Sequence, residues 1–335
     1  MNILFELSKE HKTLPRSEVK SCLKSENISY NIVESNEDAF IVDADITNYK
    51  IRKLAERLAM TFFIDKVLFI SSTKKDILKQ KEKISPLKEE GSVAITYKNR
   101  SENINSKKII AQIAEIYTQN KKVDLRNPDN EIRVLITDKK IYVGLKKAQV
   151  NRTLFEKRKV QHRPFFSPIS LHPKIAKTLV NLSEIRKNET LLDPFCGTGG
   201  ILIEAGIIGA RLIGSDIEKK MIDGCKKTLD FYGIKNYKLF CCDIGEIKKH
   251  VDFVDAVVTD LPYGKSTTTK GEEIINLYER AFENISKVLK EKRKAVIGLS
   301  NKKRISIGEK YLSLVEKHEF RVHKSLTRYF VVYQK

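Results

Sequence analysis

The sequence is poor in several residue types that would point to particular classes of protein. Its 335 residues include no tryptophan, three methionines and five cysteines. The cysteines form neither an even-numbered framework nor a pair with Cys-x-x-Cys spacing, so the sequence predicts neither disulfides nor a zinc site. We therefore expect a protein without a metal ion and with free thiols at Cys22, Cys196, Cys225, Cys241 and Cys242.

Long apolar runs are also missing. No stretch is apolar over the length needed to cross a bilayer, and the run that starts at Met1 meets an acid at Glu6, unlike a signal peptide. We therefore expect no membrane partner and a soluble, cytoplasmic protein, and we predict a monomer. A chain of this length should hold two or three domains.

Acidic residues are outnumbered by basic ones. There are 63 lysine and arginine residues against 43 aspartate and glutamate residues, which gives a formal net charge of +20. Such an excess indicates a polyanionic partner, and RNA is the leading candidate. A solvated, lysine-rich surface is the alternative. The excess is concentrated between Lys139 and Arg163, where nine basic residues accompany a single acid, Glu156.

A glycine-rich loop lies in the second half of the chain. The run Asp193-Pro194-Phe195-Cys196-Gly197-Thr198-Gly199-Gly200 stands between two apolar stretches, so it is predicted to join a strand to a helix. It lacks the Gly-Lys-Ser/Thr of a phosphate-binding loop, and Leu202 stands where a dinucleotide-binding fingerprint has its third glycine. Glycines here let the backbone approach a ligand closely, although a glycine turn can also serve packing alone.

The pattern that remains, Asp-x-Phe-x-Gly-x-Gly, resembles motif I of class I methyltransferases. The resemblance implies S-adenosylmethionine as the cofactor, with the acid near the amino-acid end of the cofactor and the glycines in backbone contact with it. It assigns five residues to cofactor binding: Asp193, Phe195, Cys196, Gly197 and Gly199.

The next two apolar runs also end in acids. The first ends in Asp216, at the position where a doubly wound sheet places a ribose-binding acid. The second ends in Asp243, which by the same family resemblance faces the adenine amino group. Ile217 and Ile244, which follow these acids, are predicted to join the cofactor site. Taken alone, either acid can instead be a helix cap or a turn former.

A fourth apolar run ends in Asp260-Leu261-Pro262-Tyr263, which resembles the (Asp/Asn/Ser)-Pro-Pro-(Tyr/Phe) motif of amino-methyltransferases. The Asp260 carboxylate and the Leu261 carbonyl can accept the two N–H bonds of a base amine and hold it in line with a methyl group. Pro262 stiffens the loop, and Tyr263 offers a ring face to an extruded base. These four residues are the predicted catalytic set. An ordinary strand-to-loop turn with a buried tyrosine is the alternative.

The amino-terminal half is predicted to be α+β. Its closing segment, Asp124-Leu125-Arg126-Asn127-Pro128 followed by a hairpin that ends at Gly144-Leu145, resembles the signature of the THUMP domain of RNA-modifying enzymes. That family binds tRNA, generally near its 3′ end. With the basic linker that follows, the resemblance gives the predicted RNA contacts: Arg126, Asn127, Lys146, Lys147, Arg152 and Arg158.

Local periodicity predicts several elements outside these motifs. Ser106 is predicted to cap a helix that continues to Gln119. By resemblance to THUMP methyltransferases, in which the helix from about Pro173 packs beside the cofactor, His172 is expected to be a loop or supporting residue rather than a general base. The remaining elements are a short helix near Asp76, a loop from Lys265 to Lys270, a helix ending near Lys317 and an antiparallel last pair of strands.

The resemblance covers essentially the whole chain, which most resembles the archaeal tRNA guanine-10 N2-methyltransferases. It implies an α/β fold in which a class I methyltransferase domain, with a Rossmann-like doubly wound sheet, follows a ferredoxin-like α+β unit and a THUMP module. The implied reaction is methyl transfer from S-adenosylmethionine to N2 of guanosine in tRNA. The predicted segments are 1–55 (ferredoxin-like), 56–148 (THUMP), 149–166 (basic linker) and 167–335 (methyltransferase).

Three other functions stay open on the sequence alone. Guanine-N2 transfer at another tRNA or rRNA position would use the same residues. An N6-adenine methyltransferase would use the same cofactor and nearly the same amine chemistry, and only Leu261 and the THUMP-like half argue against it. A non-catalytic RNA-binding protein would keep the basic surface but has no need of Asp260 or of the other strand-terminal acids.

Overall fold

The computed structural model describes most of the chain: residues 1–73, 77–79, 84, 87, 89–167, 170–263, 272–323 and 326–335. The helix predicted near Asp76 and the loop predicted at Lys265–Lys270 fall outside these ranges. Within them, no helix is both long and apolar enough to cross a membrane. The chain forms two compact units, the first from Met1–Lys12, Ile28–Glu56 and Thr61–Asn151, and the second from Thr13–Asn27, Arg57–Met60 and Arg152–Lys335.

Short and medium-length helices connect the strands of both units. In chain order the described helices are α1 (Leu14–Ser25), α2 (Asn48–Arg57), α3 (Ser106–Tyr117), α4 (Thr153–Lys157), α5 (Pro173–Leu182), α6 (Gly200–Ile208), α7 (Lys219–Phe231), α8 (Ile247–His250), α9 (Ile274–Val288) and α10 (Ile305–Glu309).

One sheet runs through the first unit. Its described strands are β1 (Asn2–Leu7), β2 (Tyr30–Ser35), β3 (Ala39–Ala44), β4 (Thr61–Ser72), β5 (Val93–Asn99), β6 (Asn130–Ile136) and β7 (Lys140–Gln149). The strand order is β2-β3-β1-β4-β7-β6-β5, in which β5 and β6 are parallel and the other neighbours are antiparallel. Strands from the predicted ferredoxin-like and THUMP segments therefore share one sheet, joined where β1 pairs with β4.

Helix α3 is capped by Asn105, and the prediction that Ser106 is its cap is wrong. The Asn105 side chain accepts a hydrogen bond from the Lys107 backbone N–H at 3.0 Å, while Ser106 is the first helical residue. Asparagine is as good a cap as serine, and the extended backbone at Asn105 aims its side-chain oxygen at the first turn. The helix ends at Tyr117, two residues before the predicted Gln119.

The second unit contains a doubly wound sheet, as predicted. Its described strands are β8 (Thr190–Asp193), β9 (Arg211–Asp216), β10 (Tyr237–Cys241), β11 (Val254–Asp260), β12 (Leu289–Leu299), β13 (Ser313–His323) and β14 (Leu326–Gln334). The order is β10-β9-β8-β11-β12-β14-β13. Strands β8 to β12 are parallel to one another, and β14 runs antiparallel to both β12 and β13. The strand order reverses at β8 and β11, which is where open α/β sheets bind ligands.

The hairpin β13–β14 confirms the predicted antiparallel last pair and corrects the predicted helix to Lys317. Helix α10 ends at Glu309, and the chain re-enters the sheet at Ser313. β-Branched residues such as Val315 and Val322 favour extended backbone. The pairing with β14 is a tertiary interaction, which the local spacing of apolar residues does not report.

Helix α1 packs within the second unit. Leu14 of α1 and Met60 belong to the apolar core that also contains residues of α5. The buried Glu18 carboxylate accepts hydrogen bonds from the backbone N–H groups of Ala59 at 3.0 Å and Met60 at 2.8 Å. It also accepts one from the side-chain amide of Asn181 in α5, at 2.8 Å. Residues 13–27 and 57–60 are therefore structural parts of the unit that holds the doubly wound sheet.

Candidate active site

Four acids meet at the carboxyl edge of the second sheet. Asp193, Asp216 and Asp260 are the last residues of β8, β9 and β11, and Asp243 lies two residues beyond β10. Because these strands are parallel neighbours, their carboxyl ends share one edge. All four acids line one cavity of about 230 Å³, as the repeated acid at each strand end predicts.

The glycine loop forms one wall of this cavity. Gly197 has a φ of +49°, and a Cβ placed on it meets no other atom within 4 Å, so the space beside its backbone is open. Gly199, with a φ of +82°, serves packing instead, because a Cβ there would lie 2.7 Å from Sγ of Cys225. Phe195, Cys196 and Gly197 line the cavity. An open left-handed glycine in a concave wall provides the close backbone approach that a bound nucleoside cofactor needs.

Asp216 is held by the backbone around it. Its Oδ2 accepts the Gly197 N–H at 3.0 Å, and its Oδ1 accepts the Glu218 N–H at 2.9 Å. Burial raises the pKa of the Asp216 carboxyl, and these two hydrogen bonds oppose the rise. Each carboxylate oxygen has a second lone pair, so the residue retains acceptor capacity for ribose hydroxyls. The neighbouring Ile217 also lines the cavity.

Asp193 lies deeper than the other acids. Its Oδ1 accepts the Thr259 hydroxyl at 2.7 Å and the Phe195 N–H at 3.3 Å. Burial raises the pKa of this carboxyl to about 7. The residue ties the end of β8 to β11, and so fixes the loop that begins at Pro194. The sequence pattern did not indicate Thr259, because threonine is a common residue in strands and nothing else marks this one.

Asp243 has a basic partner that the sequence did not reveal. Arg280 of α9 donates to both of its oxygens, and the Gly245 N–H donates to Oδ1 at 2.8 Å. The Arg280 guanidinium holds the pKa of Asp243 below its usual range. Arg280 also pairs with Glu272 at 2.7 Å, so it links the strand end to the start of α9. Ile244 follows Asp243 and lines the same cavity.

The Asp260 carboxylate is enclosed by three groups. The Tyr263 hydroxyl donates to its Oδ1. The Arg328 guanidinium of β14 lies 3.7 Å from its Oδ2 and 5.3 Å from the centre of the Tyr263 ring. Gly298 of β12, the register partner of Asp260, completes the enclosure, because a Cβ there would overlap Oδ1. Burial raises the pKa of Asp260, and the Arg328 charge opposes the rise.

The loop after Asp260 is tied down at its backbone. The Leu261 N–H donates to the Gly298 carbonyl at 3.0 Å, and the Tyr278 hydroxyl of α9 donates to the Pro262 carbonyl at 2.9 Å. Leu261 is buried in the core beside α9. These contacts leave the motif in a fixed conformation at the cavity wall, which Leu261, Pro262 and Tyr263 all line.

His172 is a helix cap. Its Nδ1 accepts the Lys174 N–H at 3.2 Å at the start of α5. This agrees with the prediction of a loop residue rather than a general base. Among its neighbours, Ser170 and Leu171 line the cavity, although no motif in the sequence singled them out.

The predicted RNA contacts have different environments. Arg126 and Asn127 are exposed on a turn whose backbone N–H groups donate to Asp124. Lys146 pairs with Glu131 at 2.6 Å, whereas Lys147 and Arg152 are partly exposed.

Arg158 differs from the other predicted RNA contacts. Its Nε and a terminal nitrogen donate to the two oxygens of the fully buried Glu204 at 2.7 and 2.9 Å. An arginine bound in this bidentate way to a buried carboxylate is committed to the fold. We therefore do not keep Arg158 among the proposed RNA contacts.

Comparison with known proteins decides the family. The family model of the RMKL-like methyltransferase domain matches residues 160–329, and that of the THUMP domain matches residues 75–146. A protein of Methanothermobacter thermautotrophicus named tRNA (guanine(10)-N2)-dimethyltransferase is 33% identical over 98% of both chains. One of the same name from Pyrococcus abyssi is 38% identical over 68% of both chains. The chain belongs to this family.

Membership confirms the family that the motifs predicted. Among solved structures, TrmN from Thermus thermophilus aligns over 100% of both chains with a TM-score of 0.56 and 15% identity. SMU.472, complexed with SAH, aligns over 100% of this chain and 98% of its own with a TM-score of 0.53 and 14% identity. At these identities the likeness shows the fold alone, and it confirms the predicted class I methyltransferase fold.

Proposed function

We propose that this chain methylates N2 of guanosine 10 in tRNA, giving N2-methylguanosine and then N2,N2-dimethylguanosine. The relative that matches 98% of this chain is named tRNA (guanine(10)-N2)-dimethyltransferase, and the THUMP match supports an RNA substrate. One observation carries the chemistry: Asp260 lies in the same cavity as the glycine loop and Asp216. A nucleoside cofactor and a target amine can therefore meet there.

Three residues act on the target amine. The amine of guanine is a weak nucleophile because its lone pair is delocalised into the ring. Asp260 and the Leu261 carbonyl accept its N–H bonds and orient the nitrogen, which is positioning combined with electrostatic stabilisation. The Tyr263 ring stacks on the extruded base. When the new N–C bond forms, the nitrogen must lose a proton, and the Asp260 carboxylate that accepts its N–H bond can take that proton. Burial, which raises the pKa of Asp260, favours this transfer.

We propose S-adenosylmethionine as the cofactor. When bound, it supplies an electrophilic methyl group. Asp216 accepts the ribose hydroxyls, and Ile217, Asp243 and Ile244 border the adenine. Gly197, together with Asp193, Phe195 and Cys196, faces the amino-acid end. The open space beside Gly197 and the remaining acceptor capacity of Asp216 support this assignment.

The first unit is proposed to hold the tRNA. Arg126, Asn127, Lys146 and Lys147 of this unit supply phosphate contacts that position the RNA without reading its sequence. Arg152, which belongs to the second unit, is a further proposed phosphate contact. The four segments 1–55, 56–148, 149–166 and 167–335 stay a proposed division of the sequence, in which residues 13–27 and 57–60 pack with the second unit. Action as a monomer in the cytoplasm stays a prediction, which sedimentation of the purified protein and cell fractionation check.

Methylation of unmodified tRNA transcripts tests the proposal. The protein is incubated with S-adenosylmethionine and the transcripts, and the products are mapped by nuclease digestion and mass spectrometry. We expect methyl groups on guanosine 10 and none on a matched transcript with adenosine at position 10. Methylation of adenosine N6, or of a different guanosine, would contradict the proposal.

A further inference from the structure

Arg328 places a positive charge beside the proposed reaction centre. Among the residues that the structure describes, no partner uses all of its N–H donors. Its side chain is 11% exposed, and its closest acidic contact is the 3.7 Å approach to Asp260. Its Nε is buried and has no hydrogen-bond partner among the described residues. A desolvated guanidinium normally has its N–H groups satisfied. The enclosed Nε is out of reach of a ligand, but one terminal nitrogen lies 3.7 Å from Asp260, beyond hydrogen-bond distance, and is the donor that a group of the substrate can use.

The chemistry of the target base identifies such a group. Along its Watson–Crick edge, guanine presents the N2 amine and N1–H as donors and O6 as an acceptor. The Asp260 carboxylate can accept from the N2 amine and N1–H, and the neighbouring Arg328 guanidinium can donate to O6. The pair is therefore complementary to guanine. Adenine presents an amine donor next to the N1 acceptor. If its amine bound Asp260, N1 would face a carboxylate oxygen, and two acceptors repel each other. We propose that Arg328 donates to O6 of the target guanine and that, with Asp260, it selects guanine over adenine.

This inference rests on the proposed function, and it deepens that function by naming how the base is chosen. A site built to hydrogen-bond a particular group rejects the analogue that lacks it, because the donors of the site are then left unpaired. Arg328 lies on β14, and its register partner is Phe320 of β13. The sheet therefore fixes the backbone from which the guanidinium reaches Asp260. A purely electrostatic role, in which Arg328 only keeps Asp260 ionised, would not depend on the base.

The test compares two tRNAs that differ at position 10. One carries guanosine and the other carries 2-aminopurine, which keeps the amine at C2 but lacks O6 and N1–H. Single-turnover rates with excess enzyme are measured for the wild-type protein and for Arg328→Met. We expect Arg328→Met to slow guanosine methylation by roughly 10- to 100-fold, the size of one charge-assisted hydrogen bond, and to leave the slower 2-aminopurine reaction nearly unchanged. An equal loss on both tRNAs would overturn the proposal, because Arg328 would then act through Asp260 alone.

Two further variants keep the result interpretable. Arg321→Met removes an exposed arginine from β13 of the same hairpin and should match the wild type on both tRNAs. Arg328→Lys retains the charge and the burial of the stem, so it replaces Arg328→Met if that variant fails to bind S-adenosylmethionine. We expect Arg328→Lys to lose more on guanosine than on 2-aminopurine, and equal losses would again contradict the proposal. If the wild-type protein does not methylate the guanosine tRNA, the proposed function itself fails.

Discussion

At the scale of single residues, the position of the Asp260 carboxylate depends on a residue without a side chain. Gly298 faces Oδ1 so closely that a Cβ would overlap it. We predict that Gly298→Ala displaces the carboxylate and lowers the methylation rate by roughly 100-fold, the effect of a misplacement of about 1 Å. Single-turnover methylation of tRNA measures the rate. Because Gly298 does not line the cavity, calorimetry should find cofactor affinity unchanged, and a normal rate would contradict the placement of Asp260.

The Tyr263 hydroxyl occupies one oxygen of Asp260 and so stabilises its ionised form. We predict that Tyr263→Phe, which keeps the stacking ring, raises the pKa of Asp260 further. Because the amine needs an ionised acceptor, activity should then decline at a higher pH on the acidic side. The profile of kcat/KM against pH measures this shift. An unchanged acidic limb would show that the hydroxyl does not act on Asp260.

Site residues that stand at the ends of apolar runs could be predicted from the sequence. Site residues that reach the cavity only because distant strands pair could not. Asp193, Asp216, Asp243 and Asp260 were predictable, because each follows an apolar run and parallel strands bring their ends together. Arg328 was not, because it is 68 positions beyond Asp260 in the chain and meets it only through the order of the sheet. No local pattern marks Arg328, because its strand β14 is separated from the strand of Asp260, β11, by β12 in the sheet.

At the scale of elements, α1 is attached to the edge strand β13 of its own unit. The Ser17 hydroxyl donates to Glu316 at 2.5 Å, and Nε2 of the buried His318 lies 3.4 Å from the same carboxylate. Thr13 of the same segment contacts Nδ1 of His318 at 2.7 Å. The His318 imidazole and the Ser17 hydroxyl hold the pKa of Glu316 at about 2, well below its usual value.

A depressed pKa in the folded state predicts the pH dependence of this contact. Glu316→Gln should lower the free energy of unfolding at pH 7 by roughly 1 to 2 kcal/mol, the value of a charge-assisted hydrogen bond. The stabilisation is fully present above pH 4.5 and is lost as the pH falls toward 2. Urea unfolding at pH 7 and at pH 3 measures it, with the exposed Glu309→Gln as control. A difference that does not shrink at low pH would contradict the assignment.

The mistaken helix to Lys317 belongs to this scale as well. The residues from Ser313 to His323 include both helix formers and β-branched residues, so their local preference is divided. Pairing with β14 decides the outcome, since it supplies hydrogen-bond partners along the side of the segment that faces β14. Elements whose conformation depends on a distant partner are the ones that a single sequence predicts least well.

For the molecule as a whole, the compact unit that carries the site is built from three separate stretches of chain, Thr13–Asn27, Arg57–Met60 and Arg152–Lys335. A fragment that starts at Arg163 would lack Leu14 and Met60 from the core and the Glu18 hydrogen bonds. We predict that its melting temperature is lower by roughly 10 °C or more, because each lost core side chain costs about 1.5 to 3 kcal/mol. Calorimetry of the fragment and of the full chain, both without cofactor, measures this. Equal melting temperatures would show that α1 is dispensable.

The central claim is that Asp260 holds the amine of guanosine 10 while other residues bind the cofactor and the tRNA. The most direct measurement is the single-turnover rate of Asp260→Ala on unmodified tRNA, with S-adenosylmethionine and tRNA affinities measured on the same protein. We predict a rate lower by roughly 100- to 1,000-fold, as for loss of a group that stabilises the transition state, with both ligands still bound. A variant that binds both ligands and methylates guanosine 10 at nearly the wild-type rate would contradict it.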